Sequence, residues 1–154
     1  QFTNLRGISK KRGQVSYIST NTTLKNLKFP ICAAGYLSPK NGDKHLIGSS
    51  YSKSDSTELI QTEHDENLEK INIIYDQNIE LKGGRVGFRT VTRDRLPLAG
   101  VIGGIHINVG HGSKGSTSAP LCSEYIADLI DGTVPPVDSF VAKALKPDRF
   151  KIRN

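Results

Sequence analysis

Methionine and tryptophan are both missing from this chain of 154 residues, and cysteine occurs only twice. A chain without methionine lacks its own initiator, so a piece of a longer protein is expected. Cys32 and Cys122 are too few for a disulfide framework, and no CxxC or Cys/His spacing suits a metal. Both thiols are expected to act as small buried hydrophobes in a reducing, cytoplasmic setting. Aromatic residues are sparse at 6%. Apolar runs are a few residues long, far short of the ~20 that a membrane span needs, and no basic start with an apolar segment behind it marks a signal peptide. A phosphate-binding P-loop fails because Lys114 precedes Gly115 rather than following a glycine. A nucleophile elbow fails because neither Ser113 nor Ser116 has glycine two residues to each side. His45, His64, His106 and His111 are scattered without ligand spacing, so no metal is expected.

What the chain does have is one domain's worth of length and a basic balance. Its net charge of +6 comes from 21 Lys and Arg against 15 Asp and Glu. The cations cluster near the start (Arg6, Lys10, Lys11, Arg12), in the middle (Arg85, Arg89, Arg93, Arg95) and near the end (Lys143, Lys146, Arg149, Lys151, Arg153). Two readings stand open: an anionic partner, nucleic acid above all, or a merely soluble surface.

Val15, Tyr17 and Ile18 place a strand at 13–19. Asn21-Thr22-Thr23 reads as a turn, and 29–37 as one β-like run interrupted by Pro30. Asn41-Gly42 centres a hairpin turn, with 45–50 returning as partner strand, so that 36–51 form a hairpin. A helix is expected from about Thr62, with acids in its first turn and Leu68, Ile71 and Tyr75 at helical spacing. Asp76 to Leu81 reads as a connection, Gly83-Gly84 as a break and 85–91 as a strand. Ile105–Val109 is a short core strand. A helix over 121–130 carries Leu121, Tyr125, Ile126, Leu129 and Ile130 on one face and stops at Gly132; Pro120 lies in its first turn, or kinks it if the helix begins earlier. Pro135-Pro136 sets off a short last segment, 139–145, and a basic tail.

The segment from Gly110 to Ser116 stands between core strand and helix: Gly110, His111, Gly112, Ser113, Lys114, Gly115 and Ser116. Strand, glycine turn and helix together aim backbone N–H groups and a helix N-terminus at an electron-rich ligand. Three glycines remove Cβ where a flat or anionic group must come close. His111 could be an acid, a base, a ligand contact or a turn histidine packed on a neighbour. Arg89, at a strand end, suits a two-pronged hold on a carboxylate, or equally a surface pairing with Asp94 or a glutamate.

Several segments occur in an ordered set: Arg12-Gly13-Gln14-Val15-Ser16, Gly35-Tyr36-Leu37-Ser38-Pro39, Ile47-Gly48-Ser49-Ser50-Tyr51, Arg89 with Thr92-Arg93-Asp94-Arg95-Leu96-Pro97, Gly112-Ser113-Lys114-Gly115, Ser118-Ala119-Pro120-Leu121-Cys122, and Leu145-Lys146-Pro147-Asp148-Arg149-Phe150. This set resembles the C-terminal half of the glycine oxidase and D-amino-acid oxidase group of FAD enzymes. Within that group it is most similar to the oxidoreductase halves of the bifunctional tRNA 5-methylaminomethyl-2-thiouridine biosynthesis enzymes. The resemblance implies an α+β fold: a mainly antiparallel mixed sheet, the substrate-binding part over 1–104, and the last strand and helix of an FAD-binding part over 105–154. It implies FAD as cofactor, held at Gly110 to Ser116, and tRNA as partner. It also implies an N-terminal FAD-binding part and a fused methyltransferase half of the same protein, cytoplasmic location and no membrane.

By the same resemblance, Arg89 would hold the carboxylate of a carboxymethylaminomethyl uridine, with Tyr36 and Tyr51 as pocket walls or packing. The enzyme would oxidise the CH–NH bond and release the carboxymethyl unit, leaving the aminomethyl form. A small-molecule amine or glycine oxidase and a non-catalytic RNA-docking module remain the alternatives. Two departures stand out. The Gly-x-Gly-x-x-Gly turn of the family's dinucleotide fold is absent, as is the methyltransferase half. The stretch 100–105 is also shorter than the family usually shows.

Overall fold

The computed structural model describes residues 5–73, 75 and 78–150. The chain divides into two compact units, residues 11–88 and residues 1–10 with 89–154. The divisions fall inside two long strands, β1 (Ile8–Ser19) and β5 (Leu81–Thr92).

Within 11–88, β1, β2 (Ile31–Cys32), β3 (Tyr36–Leu37), β4 (Lys44–Gly48) and β5 form one sheet in the order β2-β3-β4-β1-β5. β1 and β3 each pair antiparallel with β4, so Val15 and Tyr36 both face Gly48, and Tyr17 faces Leu46. Strand alternation then sorts the side chains. Ile18, Leu37 and Ile47 point to the side where helix α1 (Gln61–Asn72) brings Ile71, and these residues with Leu24 make a buried apolar core. Val15, Tyr17, Tyr36, Leu46 and Gly48 share the opposite face. The expected helix is therefore present, with Leu68 and Tyr75 packed against that core. The Asn41-Gly42 turn is also present, with Gly42 at φ 63° and Asn41 N–H donating to Lys44 O at 2.8 Å.

Three expectations fail here. The run 29–37 is not one strand but a tight hairpin of β2 and β3, with Cys32 opposite Tyr36. Gly35 closes it, because a Cβ there would lie 3.0 Å from Gly48 O and from Lys70 Cβ of α1. Gly83-Gly84 does not break the chain but lies inside β5. A Cβ on Gly84 would lie 2.3 Å from Val15 O and 2.8 Å from His64 Cε1, so the glycine admits a close approach of strand and helix rather than a turn. Cys32 is exposed, whereas Cys122 is buried as expected. Part of the expected connection from Asp76 lies outside the described residues, as do Lys151 and Arg153 of the basic tail.

In the other unit β6 (Leu98–Ile102) and β7 (Ile105–Val109) form an antiparallel hairpin. Its turn is Gly103-Gly104, at φ 58° and 77°. Positive φ at both central residues is the mirror-image turn that matches strand twist. The short 100–105 stretch is thus a complete two-residue hairpin, and the expected functional division at 104/105 falls at its turn. Helix α2 (Gly115–Asp131) starts six residues earlier than position 121, with Pro120 inside it. Pro120 thus lies past the first turn, where it has no N–H for Ser116 C=O and its ring crowds that carbonyl. The buried stripe is Cys122 and Tyr125, packed with Ala99, Leu145 and the half-buried Ile126. Leu121, Leu129 and Ile130 are 43, 38 and 60% exposed, so the expected face is shifted by one position at its first residue and left open at its end. Gly132 ends α2 at φ 70°, as expected. The last segment is helix α3 (Ser139–Leu145), capped by the Asp138 carboxylate, which accepts from Val141 N–H at 2.8 Å.

Candidate active-site turn and its strand

The glycine turn leaves β7 at Gly110, whose φ is 81°. A Cβ there would stand 2.8 Å from Thr92 Cγ2. Gly112, at φ 58°, has room only 3.3 Å from Val91 Cγ1. Both glycines therefore let the turn lie against the end of β5. A bridge between Val91 and His111 and a hydrogen bond from Gly112 N–H to Thr90 O, at 3.0 Å, hold it there. Arg89 is half-buried two residues before Val91, so the structure brings the strand that carries Arg89 and the glycine turn together.

His111 does not point a nitrogen outward. Its Nε2 lies 2.8 Å from Asn108 Oδ1 and its Nδ1 2.8 Å from Ser118 Oγ. Asn108 in turn donates to Ser123 Oγ at 3.0 Å. Burial pushes the imidazole pKa down, which favours the neutral ring. Asn108 Oδ1 can only accept, which assigns the proton to Nε2, while the single Ser118 hydroxyl proton lies within reach of both Nδ1 and Lys114 O. His111 thus staples the end of β7 to the first turn of α2, across the glycines.

Lys114, the N-cap of α2, makes no side-chain cap. Its backbone N–H is used by His111 O, and its carbonyl takes the N–H groups of Thr117 and Ser118. The N–H groups of Ser113, Gly115 and Ser116 find no acceptor among the described residues. Three donors within four residues at an uncapped helix start, beside two glycines of positive φ, form a cradle for an electron-rich edge.

Tyr36 and Tyr51 belong to the 11–88 unit. Tyr36 is half-buried on the sheet face away from α1, and a Cβ on Gly48 would sit 3.5 Å from its hydroxyl. Tyr51 is exposed, beyond the end of β4. Along that same face Tyr17, Ser38, Pro39, Lys44 and Leu46 line a cavity of about 520 Å³.

A polar cluster in this unit was not picked out as a site by sequence reasoning. Arg12 is fully buried and forms an ion pair with Glu63, from the first turn of α1. The same guanidinium donates to Gln14 Oε1 at 3.0 Å and to Ser56 O at 2.9 Å. Glu63 accepts from Ser50 and Ser52. Although burial works against the charged carboxylate, these hydroxyls and Arg12 bring its pKa below the ordinary value. Beneath it Asn67 donates to Gln14 O at 3.0 Å and to Ser16 Oγ at 3.1 Å, and Ser16 meets His64 Nδ1 at 2.7 Å. The cluster welds β1, the 50–60 loop and α1 together. Its residues are too far apart in sequence for spacing to reveal them, and Arg12-Gly13-Gln14 was the only visible hint.

The profile of the FAD dependent oxidoreductase (DAO) family matches residues 3–129. The chain belongs to this family. Curated relatives include the tRNA 5-methylaminomethyl-2-thiouridine biosynthesis bifunctional protein MnmC of Shewanella amazonensis, 34% identical over 92% of this chain and 28% of the relative. The protein of the same name from Pseudomonas aeruginosa is 31% identical over 96% of this chain and 28% of the relative. Among solved structures, glycine oxidase from Geobacillus kaustophilus aligns with a TM-score of 0.78 at 20% identity, over 97% of this chain and 41% of that one. Iminodiacetate oxidase from Chelativorans sp. BNC1 aligns with a TM-score of 0.73 at 19% identity, over 87% of this chain and 39% of that one. The chain thus spans little more than a quarter of the curated relatives' length. The residues present suit the cofactor of such an oxidoreductase: the N–H groups of Ser113, Gly115 and Ser116 would donate to an edge that gains negative charge, and Gly110 and Gly112 would leave room for a flat ring. No helix among the described residues is long and apolar enough to cross a membrane.

Proposed function

We propose that this chain is the substrate-binding and flavin-facing part of an FAD enzyme that oxidises the carboxymethylaminomethyl group of wobble uridine in tRNA. The single observation that carries the reading is the uncapped N–H cradle at Ser113, Gly115 and Ser116, bridged through His111 to the strand that holds Arg89. Residues 1–104 supply the substrate side and 105–154 the flavin side. The N-terminal FAD-binding part and the methyltransferase half complete the cytoplasmic protein. The names of the curated relatives support tRNA as the substrate class.

Bound flavin supplies a two-electron acceptor for the methylene C–H next to nitrogen. Arg89 pairs with the substrate carboxylate and fixes the methylene at the reacting position. The backbone donors of Ser113, Gly115 and Ser116, with Lys114 nearby, stabilise the negative charge that builds across the turn. His111 holds those donors in place through Asn108 and Ser118. Within the 11–88 unit, Tyr36 and Tyr51 are the side chains assigned to the substrate. Loss of hydride from carbon and of the proton from nitrogen to solvent leaves a C=N bond, which takes up water and breaks, freeing the two-carbon aldehyde acid and leaving the aminomethyl uridine.

Arg89→Ala in the complete protein is the test. Oxidation of the carboxylated tRNA is expected to fall by about a hundredfold in kcat/KM, in line with loss of a charge-assisted pair worth roughly 3 kcal/mol, while flavin content is kept. Unchanged turnover would remove Arg89 from the site.

A further inference from the structure

The turn between β5 and β6 carries a feature the active-site reading does not use. Arg95 sits at φ 64°, the only non-glycine residue with positive φ among the described residues. Glycine takes that conformation without the Cβ clash that any other residue meets. The turn is held by Arg95 N–H to Thr92 O at 3.2 Å, Thr92 Oγ1 to Leu96 O at 2.6 Å, and Leu96 N–H to Asp94 Oδ1 at 3.0 Å. An arginine at a position where glycine fits better points to use of the side chain, which is exposed.

The turn's own carboxylate is already spoken for. Arg149 places both prongs of its guanidinium on Asp94, at 2.8 and 2.9 Å, and also donates to Leu96 O and Pro97 O at 2.7 and 3.0 Å. Phe150 follows, with its ring 4.5 Å from the Arg149 guanidinium carbon and 5.4 Å from that of Arg93. Arg93 N–H donates to Gly7 O at 2.8 Å, which brings Arg6 alongside. Arg6, Arg93, Arg95 and Lys146 are all exposed. Two carboxylates, Asp94 and Asp148, lie in the same segments. Asp94 is tied to Arg149, and Asp148 has an interaction of its own.

We propose that Arg6, Arg93, Arg95 and Lys146, set around the Arg149–Phe150 buttress, grip backbone phosphates of the substrate tRNA away from the reacting nucleotide. This deepens, and rests on, the tRNA reading above. Guanidinium forks match phosphate oxygens, and phosphate contacts position a nucleic acid without reading its sequence. A face with more cations than carboxylates, whose turn carboxylate is internally paired, is complementary to a polyanion rather than to a mixed-charge protein surface.

The experiment measures binding of bulk tRNA to the complete protein over a range of salt concentrations, for wild type, Arg95→Gly, Arg93→Gln and the control Lys28→Gln, whose lysine is exposed in the 11–88 unit. Arg95→Gly suits the backbone, so loss of binding cannot come from misfolding, and its thermal midpoint should stay level or rise. Each of the two arginine variants should lower the slope of log K against log salt by about one and weaken binding about fivefold at 0.15 M salt, the factor that one lost phosphate contact implies relative to 1 M. Lys28→Gln and the flavin content should not change. Steep wild-type binding that both arginine variants retain, or an equal loss in Lys28→Gln, overturns this inference and leaves the tRNA reading standing. Equal competition by polyglutamate also overturns it. A wild-type protein that does not bind tRNA overturns both.

Discussion

Replacing Gly110 by alanine tests the packing that holds the glycine turn against β5. The perturbation has two parts. At φ 81° any L-residue other than glycine is strained, by roughly 1–2 kcal/mol. The new methyl would also stand 2.8 Å from Thr92 Cγ2. Thr92 is buried, and its hydroxyl donates to Leu96 O at 2.6 Å, so its side chain cannot rotate away without breaking that bond. Overpacking of this kind adds roughly 1–3 kcal/mol. The sum, about 2–5 kcal/mol, corresponds to a thermal midpoint about 5–15 °C lower at this chain length. Gly103→Ala is the control, because Gly103 shares the positive φ, at 58°, but a Cβ there meets nothing within 4 Å; it should cost only the conformational part. Thr92→Ser removes Cγ2 and keeps the hydroxyl, so in the Gly110→Ala background it should recover the steric part. Thermal denaturation of wild type, Gly110→Ala, Thr92→Ser and the double variant, read as a double-mutant cycle, gives the coupling directly, with Gly103→Ala measured beside them. If Gly110→Ala costs no more than Gly103→Ala, or Thr92→Ser gives no recovery, the turn is not seated as described.

The buried Arg12–Glu63 pair should be far more costly to break than a surface pair. Glu63→Gln, which leaves Arg12 buried without its counter-charge, should lower stability by about 3 kcal/mol, whereas Glu66→Gln, at the more exposed Lys70 pair, should change it by less than about 0.5 kcal/mol; urea midpoints compare the two. The Asp94–Arg149 pair predicts a pH dependence. Arg149 first, with help from the Leu96 N–H, lowers the Asp94 pKa from 3.8 to about 2. Its stabilisation is therefore present above pH ~4 and disappears as pH falls through about 2. With the side chain 36% exposed, solvent screening reduces the stabilisation to about 1 kcal/mol. Asp94→Asn should be less stable than wild type by that amount at neutral pH, and the difference should vanish near pH 2; a constant difference would show a different origin. Burial lowers the pKa of His64 and of His111, so unfolding takes up protons and stability should fall as pH drops below about 6.5. His111→Gln should flatten part of that slope.

The local parts of this structure were legible from residue types alone. Asn41-Gly42 and Gly132 act where their backbone freedom predicts, and Ile105–Val109 is the strand that feeds the glycine turn, although it is not the core strand expected, because none of its five residues is buried. The misreadings share one cause, tertiary crowding that local patterns do not carry. Gly84 looks like a breaker, yet it is there because Val15 O and His64 come close. Gly103-Gly104 reads as a trimmed loop unless Leu98–Ile102 is seen as the partner strand of β7, and local pattern does not show that pairing. The first turns of α2 are rich in Gly, Ser and Thr, which are weak helix formers, so its start at Gly115 was hidden. Of the candidate site, the turn and the strand bearing Arg89 do meet, whereas the His111 staple, with partners at Asn108 and Ser118, emerged only in three dimensions.

The most direct measurement is the absorbance spectrum of the complete gene product, taken anaerobically with and without tRNA carrying carboxymethylaminomethyl uridine. The account predicts a flavin band that bleaches on adding that tRNA. A band that bleaches only with small glycine-like amines would contradict the tRNA assignment, and a protein that binds tRNA with no flavin band at all would contradict the oxidoreductase itself.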